Sequence, residues 1–215
     1  MTDDLVRGFE DFAHYQYENG TALMPKLVED GQAPKYFIIS CIDSRANPGT
    51  IFRARPGTFF AHKAMGALVR PYKQGTALAA SLQFALTYNN VPNIIVLGHT
   101  QCGAIEALSK NLEDEEITSF ISMAKASLKK AQACCSDHDE ILAMTEKETI
   151  LQSAENLKTY PSVQRALAEN RLNIKAWLFD MKEGQLLEYN IQNKDFRIIS
   201  ASHKTEGSRK EESHG

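Results

Sequence analysis

Two short segments of this chain carry side chains suited to hold a soft divalent cation: Cys41-Ile42-Asp43-Ser44-Arg45 and His99-Thr100-Gln101-Cys102-Gly103. Two thiolates and one imidazole form a zinc donor set, and three protein ligands leave a fourth position open for chemistry. His99 and Cys102 stand three residues apart, which lets both face one ion across a strand-to-helix turn. Backbone amides at the start of the next helix favour a thiolate at Cys102. Two thiolates also neutralise the charge of zinc. Such a site acidifies water less than zinc on three imidazoles, where bound water has a pKa of about 7. The surroundings must compensate, and Asp43 and Arg45 are placed to do so. The guanidinium can fix the carboxylate by a paired, charge-assisted hydrogen bond. The carboxylate can then accept a hydrogen bond from the attacking water and orient it.

The elements that position these residues follow from the hydrophobic pattern. Residues from about 4 to 29 repeat Phe9, Phe12 and Tyr15 at helical spacing, with Pro25 as a break between two pieces. Tyr36-Phe37-Ile38-Ile39 is a short apolar run that reads as a buried strand. Thr58 to His62 reads as a second strand, opened by the Pro56-Gly57 turn. A helix from about Gln74 to Tyr88 gathers Leu78, Leu82, Ala85 and Leu86 on one face. The clearest strand is Asn93 to Leu97, ending at Gly98. Amphipathic helices fill much of 104–159, and Pro161 starts another. Asn173 to Asp180 and Gln185 to Tyr189 read as a hairpin about Gly184. Strands that alternate with helices predict an α/β fold: a mostly parallel central β-sheet with helices on both faces and an antiparallel C-terminal edge strand. In such sheets ligands bind beyond the carboxyl ends of the strands. Cys41 follows the first strand and His99 the strongest one, so both reach the same sheet edge.

The paired motifs Cys41-x-Asp43-Ser44-Arg45 and His99-x-x-Cys102-Gly103 resemble the signatures of β-carbonic anhydrases. Further segments carry the resemblance through most of the chain: Gln32-x-Pro34, Pro56-Gly57, Ser81-Leu82-Gln83-Phe84-Ala85, Ile94 to Gly98, Ser153-x-x-Asn156-Leu157, and Trp177-Leu178-Phe179-Asp180 with Gly184. The resemblance implies reversible hydration of carbon dioxide to bicarbonate, with one Zn2+ per subunit held by Cys41, His99 and Cys102. It implies catalytic roles for Asp43 and Arg45, bicarbonate binding by Gln32, and a homodimer or homotetramer. The chain departs from the family pattern at Lys63-Ala64-Met65-Gly66-Ala67, where Arg-Asn-x-Ala/Gly-Asn is usual, and at Gln83, where glutamate is usual. Lysine at position 63 keeps the charge and loses the planar fork. Ile38 stands where one subgroup carries the tryptophan of its allosteric bicarbonate pocket, so regulation of that kind is not expected. Two alternatives remain open from sequence: hydrolysis of a similar linear molecule such as carbon disulfide or carbonyl sulfide, and an inert zinc-binding homologue.

The bulk composition fits this picture. The 215 residues suit one domain over 1–203, with residues 1–30 as an N-terminal helical arm and 204–215 as a disordered polar tail. A net charge of -3 offers no basic field for nucleic acid or an anionic membrane surface. No run is long and apolar enough for a membrane span, and the acidic start Met1-Thr2-Asp3-Asp4 lacks a secretory pattern. Cytoplasmic residence is the expectation, with reduced thiols available for metal. Cys134-Cys135 with His138 reads as incidental rather than as a second metal site, and His62 as a packed histidine near the sheet edge.

Overall fold

The computed structural model describes residues 2–18 and 22–201. Helix α1 (Asp3–Ala13) runs into a π-helical turn, His14–Glu18, and α2 spans Leu23–Glu29. Pro25 lies in the first turn of α2, where no intrahelical partner waits for its missing N–H, so the helix begins just ahead of it. Strand β1 (Tyr36–Ser40), helix α3 (Pro48–Ile51) and strand β2 (Phe59–Lys63) follow. Helix α4 (Ala77–Gln83) is capped by the Thr76 hydroxyl, which accepts the Ala79 N–H. Strand β3 (Asn93–His99) leads to α5 (Gly103–Ser109), α6 (Ile117–Ile121) and α7 (Lys125–Cys134). The long helix α8 (His138–Leu157) is capped by the Asp137 carboxylate on the Glu140 N–H, and α9 (Pro161–Ala168) has its proline in the first turn. Strands β4 (Asn173–Asp180), β5 (Gln185–Asn190) and β6 (Asp195–Ala201) complete the described chain. The tail 204–215 lies outside the described residues.

The six strands form one sheet in the order β2-β1-β3-β4-β5-β6. The first four are parallel and the last two antiparallel. The expected antiparallel addition is present, but β5 is not the edge: β6 pairs outside it. Two things hid β6. Its apolar residues do not alternate cleanly, and the register skips Ile199, since Leu186 faces Ser200 while Leu187 faces Ile198. Strand β3 also runs one residue further than the pattern predicts, so His99 closes the strand instead of following it.

One face of the sheet packs Phe37, Ile39, Ile94 and Val96 against Leu82 of α4, Ile150 and Leu157 of α8, and Val163 of α9. The other face sets Ile38, Ile95 and Leu97 against Ile51, at the end of α3, and Phe52. A third apolar cluster caps the C-terminal ends of the strands and contains Cys41 and Cys102 with Leu68, Ile105 and Leu108.

The topology decides where a ligand goes. From β1 the chain crosses to β2 on one side, and from β3 it crosses to β4 on the other. The connections leaving β1 and β3 therefore diverge, which opens a crevice at the carboxyl ends of these neighbours. Ser40 is level with Leu97, so the next residues, Cys41 on one side and Gly98-His99 on the other, meet at that crevice.

Candidate metal centre

Cys41, His99 and Cys102 come together with their ligand atoms all within 4.8 Å of one another, and all three are buried. They are the group among the described residues able to hold a metal ion. The donor set fits zinc. So does the tautomer of His99. Its Nδ1 lies 2.9 Å from the Thr100 carbonyl, an obligate acceptor, so Nδ1 carries the proton. The other nitrogen, Nε2, presents a lone pair, is buried, and has no hydrogen-bond partner. A buried lone pair with no donor beside it is costly unless a cation takes it.

The thiols have the matching electrostatics. The hydrogen bond from Cys102 holds Cys41 well below the usual thiol range, against its burial, with His99 and the Asp43 backbone assisting. The same shared hydrogen pushes Cys102 up, and burial adds to this, while the N–H groups of Ala104 and Ile105 pull it down. Burial alone would lower the pKa of His99, but the neighbouring Cys41 sulfur and the Thr100 carbonyl raise it. The pocket thus gathers negative charge on sulfur around one point.

Each ligand sits on a braced loop. Gly66 donates its backbone N–H to Cys41 Sγ at 3.3 Å. Gly66 belongs to the segment Lys63–Ala67, so the stretch that departs from the family pattern touches a ligand directly. Its φ of +61° is one that glycine adopts without strain. The turn after β3 is pinned to β4: Thr100 donates its N–H to the Phe179 carbonyl at 3.0 Å, and its hydroxyl accepts the Met181 N–H at 3.0 Å.

Asp43 and Arg45 form the expected fork. Asp43 Oδ1 accepts the Arg45 N–H at 2.9 Å and its Nε at 3.0 Å, while Oδ2 accepts Nη2 at 2.8 Å. Arg45 holds the carboxyl well below the usual carboxylate range. Asp43 Oδ2 lies 3.9 Å from His99 Nε2, so the carboxylate borders the point where the ligand atoms converge. Arg45 also reaches the Gln101 carbonyl at 3.5 Å, linking the two loops.

Gln32 is not brought to this cluster. It is exposed, in the segment before β1, at the opposite end of the strand from Cys41. Five strand residues at about 3.3 Å each lie between. Cys134 and Cys135 place their sulfurs 3.2 Å apart at the end of α7, away from the cluster. His62 is half-buried, and burial lowers its pKa, in keeping with a packed histidine.

Sequence reasoning missed Glu146. It is 6% exposed on α8, and its Oε1 accepts the Cys102 backbone N–H at 2.8 Å. Desolvation raises its carboxyl to about 7 in spite of that bond. The available signal was its phase: Glu146 lies on the stripe of Thr149, Ile150, Ser153 and Leu157, all buried. A charged residue on a buried helical stripe needs a partner.

The comparisons with known proteins agree with this geometry. A family model described as carbonic anhydrase matches residues 36–186. Beta carbonic anhydrase 5, chloroplastic, of Arabidopsis thaliana is 32% identical over 176 residues, covering 79% of this chain and 55% of that protein. The chain therefore spans little more than half of the plant relative. Carbonic anhydrase of Pseudomonas aeruginosa is 31% identical over 189 residues, 85% of either chain. The structure of the β-carbonic anhydrase CcaA superposes with a TM-score of 0.82 at 25% identity, covering 93% of this chain and 92% of that one.

Proposed function

Because the chain belongs to the β-carbonic anhydrase family, we propose that it catalyses the reversible hydration of carbon dioxide to bicarbonate and a proton, with one zinc ion held by Cys41, His99 and Cys102. The observation that carries this reading is the buried, unpartnered Nε2 of His99 facing two thiols, with the Asp43–Arg45 fork at its edge. Zinc bound there supplies a Lewis acid that acidifies water.

The residues of the chain supply the rest. The Thr100 carbonyl fixes the imidazole tautomer. The Gly66 N–H steadies Cys41. Leu68, Ile105 and Leu108 pack beside the ligands, keep bulk water out and strengthen each polar contact. Asp43, ionised and locked by Arg45, is an acceptor with one orientation. It takes a hydrogen bond from the attacking water and aims the oxygen lone pair at the carbon of the substrate. Arg45 engages both carboxylate oxygens, and this fork would favour Asp43 as an orienting acceptor over Asp43 as a fourth ligand. The intact fork argues against an inert zinc-binding homologue.

Assembly enters the same reading. Gln32 contacts bicarbonate only if a second copy of the chain presents it, since its own strand carries it to the far end. The apolar face of α1 supports a dimer or tetramer: Leu5 is 72% and Phe9 65% exposed, as expected of a surface that another subunit covers. Cytoplasmic residence is part of the proposal, supported by four unpaired cysteines. No helix among the described residues is long and apolar enough to cross a membrane.

The deciding experiment is stopped-flow carbon dioxide hydration on zinc-loaded protein. Rapid turnover suppressed by a zinc-binding anion is the expected result. Background rates at every pH, with a full zinc complement, would overturn the reading.

A further inference from the structure

Helix α8 does more than cover the sheet. Along one stripe it holds the segment beyond Gly66, which braces Cys41, and the turn that carries Cys102. Ser153 accepts the Val69 N–H at 3.1 Å, and Asn156 donates to the Val69 carbonyl at 2.7 Å, which anchors the chain just beyond Gly66. One turn toward the N-terminus, Ile150 packs against Gly98. One turn further, Glu146 meets Cys102.

The turn at Cys102 needs outside support for two reasons. Gln101 has φ +55°, in the left-handed region that non-glycine residues enter only at an energetic cost. Cys102 is also the N-cap of α5, where its sulfur is a weak acceptor in place of the usual hydroxyl or carboxylate oxygen. In the reciprocal capping arrangement, a glutamate in the helix's own first turn accepts the N-cap N–H. Here Oε1 of Glu146 supplies that acceptor from another helix, with the Gln101 backbone also turned to it.

Resting on the zinc reading of this centre, we infer that Glu146 is a positioning residue for the metal: its carboxylate holds the strained Gln101–Cys102 turn so that Cys102 Sγ is preset for the ion. It touches neither metal nor substrate. It acts through the backbone of a ligand, as outer partners of metal ligands do elsewhere.

Three variants separate this role from a purely structural one. Glu146→Gln keeps an acceptor oxygen and removes the charge. Glu146→Leu keeps the volume and removes the acceptor. Glu146→Asp withdraws the acceptor by one methylene. Zinc affinity is read by competition with a chromophoric chelator, and ligand geometry by the thiolate-to-metal absorption of the cobalt-substituted protein. The leucine variant is expected to lose about 10- to 100-fold in zinc affinity and to show altered cobalt bands. The glutamine variant stays within a few-fold of the parent. If the leucine variant does not fold, the aspartate variant carries the test, with an intermediate loss. Unchanged zinc affinity and cobalt spectrum in the leucine or aspartate variant overturns the inference, even if thermal stability falls. A parent protein that takes up no zinc removes the metal reading and this inference with it. Parent binding with indifferent variants removes this inference alone.

Discussion

Gly98 and Ile150 touch with no room for a methyl group between them: a Cβ on Gly98 would stand 2.5 Å from both Cγ1 and Cδ1 of Ile150. Ile150 is itself fully packed in the main core and has nowhere to retreat. The glycine is therefore the contact that lets α8 approach the end of β3. Gly98→Ala is expected to cost about 1–3 kcal/mol, typical of overpacking, seen as a lowered midpoint in denaturant. Combining it with Ile150→Val, which removes the clashing Cδ1, should cost less than the two single changes summed. Strict additivity would place the strain elsewhere.

The Asp43–Arg45 fork makes a second prediction. Asp43→Asn leaves Cys41, His99 and Cys102 untouched, so zinc content should stay at one per chain. Turnover should fall by about 10²-fold or more, the scale of a lost proton-accepting or orienting group. Arg45→Ala should behave likewise, because it frees the carboxylate to swing toward the ligand atoms. Parent-like turnover in Asp43→Asn would remove this residue from the chemistry.

Thiol labelling tests the metal centre without kinetics. Cys134 is exposed and Cys135 partly so, while Cys41 and Cys102 are buried. The zinc form should react quickly at the Cys134–Cys135 pair and slowly at the other two. Chelation should raise the reactivity of Cys41 and Cys102, which zinc would otherwise hold. Equal rates at all four sites in the zinc form would contradict the assignment.

The Lys175–Glu188 pair bridges β4 and β5 at 2.6 Å and gives a pH-dependent term. Its hydrogen bond to Lys175 lowers the Glu188 pKa. A carboxyl depressed in the folded state stabilises above its unfolded pKa of about 4.3, and that contribution fades as pH falls through the folded value. Glu188→Gln should therefore be less stable than the parent near pH 7, by under about 1 kcal/mol for a pair this exposed. The difference should vanish in acid. A gap that persists at pH 2 would mean packing, not charge.

Removing residues 1–18 tests the role of α1 in assembly. If its exposed Leu5, Val6 and Phe9 are covered by another subunit, the truncated chain should elute as a smaller species and turn over more slowly. An unchanged elution volume relative to mass would clear α1 of that role.

Much of the centre was legible before the structure because its signals are local. Cys41 and His99 stand at the ends of apolar strands, and Cys102 and the Asp43–Arg45 pair lie within four residues of them. What stayed hidden depends on distant segments meeting. Glu146 reads as one more acidic residue on a polar helix until α8 is laid across β3. Gln32 looks like a neighbour of Cys41 in sequence, whereas β1 carries it to the other end of the sheet. Strand β6 escaped because its bulge at Ile199 breaks the alternation that marks a strand.

The order of strands also sets a sequence of events during synthesis. Cys41 leaves the ribosome at the end of β1, but the neighbouring strand that carries His99 is β3, made only after β2 and α4. Until β3 docks, the nascent chain offers one isolated thiol, a poor trap for zinc. Capture must wait for a non-local pairing, the slow kind of step in folding. The same cross-link works in reverse. An ion held by Cys41, His99 and Cys102 would tie the end of β1 to that of β3, so its removal should ease the opening of the middle of the sheet.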